Sequence, residues 1–296
     1  MKRRQPGILT GMPFMANVSS RTFVDDAGRK VFFADPPRRI VSLAPNITEM
    51  LFALDAGSRL VGVTSFCNFP PEAAALPKVG GATPNLERVI RLNPDLLLTP
   101  RGFLNADAVR ELEQLRIPVF TFETHTLDDV LRHLSTLGRL LDRGKTADAL
   151  VGRLRERIKR VSTPSAGRPR PTVLYVLNSD PLITVGPGSF IHHVIELAGG
   201  ANIAADTGTA YPRLSMETVL KRNPDVLLFP AGESEAVSES QLVQWRTWSA
   251  LSAVRHNRLV PVASDLLDRP GPRIVEGLEH LAQIFHSDPV SSNPGP

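Results

Sequence analysis

The chain has one cysteine, Cys67, and only two tryptophans and two tyrosines in 296 residues. A single thiol forms no internal disulfide and no four-cysteine zinc site, which excludes a stapled scaffold and a zinc ribbon. No apolar run approaches the roughly 18 residues that a membrane-spanning helix requires. Charge of one sign is also scarce: 34 Lys and Arg against 30 Asp and Glu leave a net +4. The basic residues are scattered without interleaved aromatics, so nucleic acid is not an expected partner. Signatures of common α/β enzymes are missing too. No G-x-G-x-x-G follows a strand, and there is no Walker loop, G-x-S-x-G elbow or H-E-x-x-H helix. No catalytic residue and no metal ligand is therefore assigned.

What is present is a globular composition, 42% hydrophobic and 22% charged, with 26 prolines against about 15 at average usage. The length suits one large domain or two of about 150 residues. From Arg39 onward, strands and helices alternate: RRIVSL, LVGVTSF, DLLLTP and PVFTF are apolar strands separated by helical stretches, the pattern of a parallel α/β sheet. Leu127 to Val161 departs from it, with apolar residues at helical spacing interrupted only at Asp142 to Lys145. A breaker-rich stretch, STPSAGRPRP, then marks a boundary, after which the α/β rhythm resumes. The expected organisation is an N-terminal segment (1–38), an α/β lobe (39–126), a linking helix region (127–163), a second α/β lobe (170–287) and a disordered tail (288–296).

The first 20 residues place a basic cluster before a mildly apolar stretch broken by Pro6, Gly7, Gly11 and Pro13. An export signal and a disordered or wrongly started N-terminus are both compatible with this pattern. No cysteine follows that could carry a lipid, so an extracytoplasmic form is expected to be free and soluble.

An internal repeat decides between one domain and two. NLERVIRLNPDLLLTP (85–100) and SMETVLKRNPDVLLFP (215–230) agree at eight of 16 positions at a constant offset of 130, which implies two similar lobes with a cleft between them. Glu87 and Glu217 occupy equivalent places, each two residues past a plausible N-cap. Stabilisation of the helix dipole, about 0.3–1 kcal/mol, accounts for such carboxylates without further function. If the lobes are related by a pseudo-twofold axis, however, the pair could dock on two arginines of a symmetric partner.

In an α/β protein, ligand sites form in the loops that follow strand C-termini. Here those loops carry Phe66, Phe69, Arg101, Phe103, Tyr211, Asp265, Asp268 and Arg269, a mixture suited to an organic ligand larger than an ion. Loop packing is the preferred role for Phe69 and Phe103. Of the seven histidines, the adjacent His192 and His193 point about 100° apart on a helix, unlike the i, i+4 pair that shares a metal. All seven are expected on helix surfaces.

At these residues the chain resembles the class III, helical-backbone solute-binding proteins of ATP-driven (ABC) importers, which serve cobalamin, haem and ferric siderophores. The resemblance runs from about Arg21 to Ser287. It is carried by PPRRIVSLAPNITEMLFALDAG, LVGVTSFCNFPPEA, NLERVIRLNPDLLL, PRGFLN, LSMETVLKRNPDVLL and VASDLLDRPGPRIVEGLEHLA. RTFVDDAGRKVFF is similar to the short hairpin that often precedes the first lobe. The FCNFPP, RG and SD-x-x-x-R segments are most similar to the cobalamin-binding branch.

The resemblance implies two α/β lobes with parallel sheets flanked by helices, joined by one long backbone helix, with a corrinoid held between them and little hinge closure. It places ligand contacts at Asn46, Phe66, Arg101, Leu177, Ile183, Tyr211, Asp265 and Arg269. It also makes Glu87 and Glu217 the docking residues for arginines of the importer's permease subunits. The binder it implies is a periplasmic monomer without enzymatic activity or an intrinsic cofactor. The tryptophans that face the corrin in cobalamin proteins are replaced here by the GGATP loop, Pro100 and Tyr211, while Trp245 and Trp248 lie in a helix of the second lobe. Haem, with Tyr211 as an axial ligand, and a ferric siderophore are the alternative ligands. The contrasting class is a cytoplasmic corrinoid-handling protein or an α/β enzyme.

Overall fold

The computed structural model describes residues 21–165, 169–232 and 239–286. The expectations of an export signal and of a disordered tail fall outside them. The described chain begins with an antiparallel hairpin, β1 (Arg21–Val24) and β2 (Lys30–Phe33). Asp25 closes its turn by accepting the N–H groups of Ala27 and Arg29 and the guanidinium of Arg29 at 2.6–3.1 Å.

The first sheet is formed by β3 (Ile40–Ser42), β4 (Leu60–Val63), β5 (Leu96–Pro100) and β6 (Val119–Phe122), all parallel, in the order β4-β3-β5-β6. Helices α1 (Pro45–Ala53), α2 (Pro71–Ala74), α3 (Leu86–Arg91) and α4 (Ala106–Gln114) connect the strands. Leu96, Leu97 and Leu98 are all fully buried. Such a continuous apolar run is what a parallel strand covered on both faces requires. The hairpin covers the sheet's outer edge: Asp26 N–H donates to Thr121 O, and the amides of Thr121 in β6 and of Glu123 just past it donate to the carboxylates of Asp25 and Asp26. An edge strand is thereby withdrawn from pairing with other chains.

The linking region is built from two helices. α5 (Leu127–Leu140) turns at Leu141 to Arg143, where Asp142 adopts φ 60°. The 22-residue α6 (Gly144–Ser165) supplies the long connection. Beyond it come β7 (Thr172–Tyr175), a short hairpin β8 (Asn178–Ser179) and β9 (Leu182–Ile183), α7 (Phe190–Leu197), β10 (Ala201–Asn202), α8 (Met216–Arg222), β11 (Val226–Ala231), α9 (Glu239–Arg246), α10 (Ser252–Arg255), β12 (Leu259–Ala263), α11 (Ser264–Leu267) and α12 (Ile274–His286). The second sheet has the order β10-β7-β11-β12, again parallel. In each lobe, counting its own strands, that order is 2-1-3-4.

The repeat therefore has a structural meaning. α3 with β5 and α8 with β11 are the same unit, and its Asn-Pro-Asp turn performs the same two tasks twice. Asn93 and Asn223 take left-handed backbone conformations, φ 46° and 44°, which asparagine tolerates better than most residues. Asp95 accepts the amides of Arg38 and Arg39, while Asp225 accepts the amide and hydroxyl of Thr172. Each aspartate thus ties the third strand of its lobe to the start of the first.

The largest apolar cluster does not stop at a lobe boundary. It runs from Phe33 and Leu51 through Leu134 and Leu154 to Val194, Leu278 and Phe285, so α1, α5, α6, α7 and α12 share one core. Arg157 of α6 adds a two-pronged pair with Glu279 of α12, at 2.9 and 2.7 Å.

A capping box starts α5. Thr126 accepts the Asp129 amide, and Asp129 accepts the Thr126 amide and hydroxyl, the His125 amide and the Arg132 guanidinium. Burial works against the Asp129 carboxylate, but these hydrogen bonds outweigh it and hold its pKa at about 2 against an ordinary 3.8. A carboxyl depressed in the folded state contributes stability above its unfolded pKa and loses it as pH falls towards the folded value. D129N is expected to lower stability by about 1 kcal/mol at neutral pH. In urea unfolding followed across pH, it should also flatten the decline between pH 3.8 and about 2.

Candidate functional site

Loops from the C-terminal ends of both sheets meet where α1 faces the segment between β12 and α12. A cavity of about 460 Å³ opens there, lined by Asn46 and Ile47 of α1, Pro100 to Gly102 after β5, Phe122 to His125 at the end of β6, and Pro270 from the other lobe. Its size falls within the range of small-molecule sites. The lobes approach closely at Gly271, where a Cβ would lie 3.4 Å from the Asn46 backbone.

Among the described residues, polar contacts bridge the lobes at several points, including Arg269 Nη1 at 3.9 Å from Glu49 Oε1. Arg273 donates to both carboxylate oxygens of Glu49 at 2.9 and 2.6 Å. Arg269 donates to Asn68 Oδ1 at 2.6 Å, and His125 Nδ1 lies 3.2 Å from the Gly188 carbonyl. Glu49 is only 4% exposed, among the buried Ile47, Met50 and Leu51. Burial pushes its carboxyl up, against the pull of the Arg273 hydrogen bonds, while those same bonds hold the Arg273 guanidinium firmly charged. The Arg273 guanidinium also stacks 3.8 Å from the centre of the Phe69 ring. Phe69 thus serves as packing, as does Phe103, which rests against the first lobe's core.

The expected site residues fall into two groups. Asn46 and Arg101 line the cavity, and Arg269 and Asp265 form an ion pair at 2.9 Å close to its Pro270 wall. Phe66, Leu177, Ile183 and Tyr211 lie outside the cavity lining. Phe66 is half exposed, its ring beside Gly81, where a Cβ would sit 3.7 Å from it. On the second lobe, Leu177 N–H donates to Ile183 O, and Ile183 bridges to Arg213, two residues beyond the exposed Tyr211. Glu87 and Glu217 are exposed in the first turns of α3 and α8, whose caps are confirmed by bonds from Arg88 N to Asn85 Oδ1 and from Thr218 N to Ser215 Oγ.

Sequence reasoning passed over Glu49, Arg273, Glu123 and His125. Glu49 carried a legible signal, since a carboxylate on an otherwise apolar helix face needs a buried partner. His133 corrects the surface-histidine expectation. It is 1% exposed, burial lowers its pKa, and its Nε2 lies 2.7 Å from Asp26. Trp245 is buried edge-on against Phe229, and Trp248 lies just past the end of α9 rather than within it. Among the described residues, no cluster of three or more His, Cys, Asp or Glu is placed to hold a metal ion, and no helix is long and apolar enough to cross a membrane.

Comparison with known proteins agrees with this geometry. A model of the family described as periplasmic binding protein matches residues 40–266. The chain belongs to the periplasmic binding protein family. An uncharacterised ABC transporter substrate-binding lipoprotein, YvrC of Bacillus subtilis, is 31% identical over 274 residues, covering 90% of this chain and 85% of its own. The crystal structure of the periplasmic vitamin B12 binding protein BtuF of Vibrio cholerae is 30% identical, with a TM-score of 0.74 over 84% of this chain and 97% of that one. The periplasmic heme-binding protein RhuT from Roseiflexus sp. RS-1, in apo form, is 26% identical, with a TM-score of 0.75 over 84% and 98%. As in these periplasmic binding proteins, the described chain forms two α/β lobes whose loops enclose the gap between them.

The Glu49–Arg273 pair gives this binding-protein fold a testable brace. R273M alone should destabilise the protein by about 3 kcal/mol, because the buried Glu49 then keeps only the Arg269 guanidinium, 3.9 Å away, whereas the double variant E49L/R273M should recover most of that loss in urea unfolding.

Proposed function

We propose that this protein captures cobalamin or a related corrinoid between its lobes and delivers it to the permease subunits of an ABC importer. The observation that carries this reading is the cleft itself: a cavity between the lobes whose walls mix Asn46, Arg101 and Glu123 with Ile47, Phe122 and Pro270, in a molecule whose loops also expose Phe66, Leu177 and Tyr211. A corrinoid is a large apolar macrocycle with a polar rim, and it needs both kinds of surface. Asn46, Arg101, Asp265 and Arg269 contact that rim, while Phe66, Leu177, Ile183 and Tyr211 pack on the ring. The likeness to the vitamin B12 binding protein supports the ligand class. The family's description and the substrate-binding lipoprotein relative support a place outside the cytoplasmic membrane. The protein acts as a monomer and as a binder rather than an enzyme.

Haem is the second reading, favoured by the exposed Tyr211, whose phenol can serve as an axial ligand to iron, and by the likeness to the heme-binding protein. Calorimetric titration separates the two. Cyanocobalamin should bind at micromolar concentration or below. No heat with cyanocobalamin at tens of micromolar, together with a clear response to haem or a ferric siderophore, transfers the function to that ligand.

Delivery rests on Glu87 and Glu217. Both are exposed carboxylates at equivalent places in the repeated unit, one per lobe, as a pseudo-symmetric permease would require. The double charge reversal E87R/E217R should abolish uptake by cells while leaving ligand affinity in calorimetry unchanged. Undiminished uptake would return both residues to helix-dipole stabilisation.

A further inference from the structure

We propose that Glu123 makes the inter-lobe cavity select a neutral amide over a carboxylate, so that the protein discriminates a fully amidated corrinoid from one bearing a free acid at the group seated there. This inference rests on the corrinoid reading and specifies its chemistry.

The cavity's guanidinium is not an open anion site. Arg101 Nη1 lies 2.7 Å from Glu123 Oε2 and donates to the Asp26 carbonyl at 3.3 Å. Glu123 is fixed in turn: its amide donates to Asp26 Oδ2 at 2.8 Å, and its second carboxylate oxygen lies 3.3 Å from His125 Nε2. Asp26 is itself anchored by Arg132 and His133 at 2.6 and 2.7 Å. The Arg101–Glu123 pair is therefore held from behind by the hairpin and α5, and it presents a donor and an acceptor side by side. Asn46, also in the cavity lining, offers the same two functions in one amide.

A primary amide satisfies such a wall completely. Its NH₂ group donates to Glu123, and its carbonyl accepts from Arg101 or Asn46. A carboxylate is acceptor-only. It would gain Arg101 but meet Glu123 with like charge, and a like-charge juxtaposition in a partly buried site is strongly unfavourable. The neighbouring Arg269–Asp265 pair, at 2.9 Å, repeats the pattern of cation matched by carboxylate near the cavity's Pro270 wall.

The test compares cyanocobalamin with its b-, d- and e-monocarboxylic acids, in each of which one propionamide is hydrolysed, by competition calorimetry on the full-length protein. The wild type should bind at least one of these acids about tenfold more weakly than cyanocobalamin, a difference of about 1.4 kcal/mol. E123Q should shrink the discrimination against that same acid to about threefold or less, and R101Q, which removes the guanidinium that offsets the Glu123 charge, should widen it. The opposite directions keep the outcome readable even if one variant folds poorly. Equal affinity for all four corrinoids in the wild type, or unchanged discrimination in both variants, overturns the role of Glu123 while leaving corrinoid binding in place. Binding of none of the four overturns the corrinoid reading and this inference with it.

Discussion

A carboxylate and a guanidinium that meet across the gap between two lobes set the terms for the rest of this molecule. Glu49 points from the apolar face of α1 and would be ruinous there unpaired; Arg273, just ahead of α12 in the other lobe, supplies two hydrogen bonds to it. A buried pair of this kind adds little net stability compared with a well-packed apolar alternative, but it is highly sensitive to geometry. It therefore fixes where the lobes sit more than how tightly the chain folds. The core shared by α1, α5, α6, α7 and α12 acts in the same direction. With apolar packing and a directional ion pair both crossing the boundary, wide hinge opening would break both at once, and the cleft is largely preformed.

That preformed geometry connects fold to function. The same segment that delivers Arg273 delivers Pro270 to the cavity wall and Arg269 to Asn68, so the brace and the binding surface are one stretch of chain. On the other side, the β1–β2 hairpin covers the β6 edge and also presents Asp26, which orients Glu123 and, through it, Arg101. An element that covers a sheet edge thus also helps to build the site. Charges in the gap are matched in pairs wherever Arg101, Arg269 and Arg273 lie, which suits a ligand that is large, weakly charged and rich in hydrogen-bonding groups.

Much of the fold was legible in the sequence because its signals are local. Apolar runs such as Leu96 to Leu98 announce buried parallel strands, and the Asn-Pro-Asp turn repeated at an offset of 130 announces a duplicated unit; the structure adds that both lobes share one strand order. The helical stretch from Leu127 was readable, including its interruption near Asp142. The site was legible only in part. Arg101 and Asn46, which the resemblance marks as ligand contacts, line the cavity, but Glu123 and His125 come from the end of β6 and have no motif of their own. Their positions depend on where the hairpin docks, about a hundred residues away in sequence. His133 was misjudged for the same reason: helical spacing places it on a face of α5 but does not reveal that Asp26 waits there to receive it. Long-range pairings are the information that one-dimensional patterns lack.

The proposed function requires a corrinoid between the lobes with its ring on exposed apolar side chains and its amide rim in the Arg101–Glu123–Asn46 cavity. A crystal structure of the protein with cyanocobalamin tests this most directly. The corrin should pack against Phe66 and Tyr211, with one side-chain amide in contact with Glu123 and Arg101. A corrinoid bound elsewhere on the surface, or one seated in the cleft with that cavity filled only by water, would contradict it.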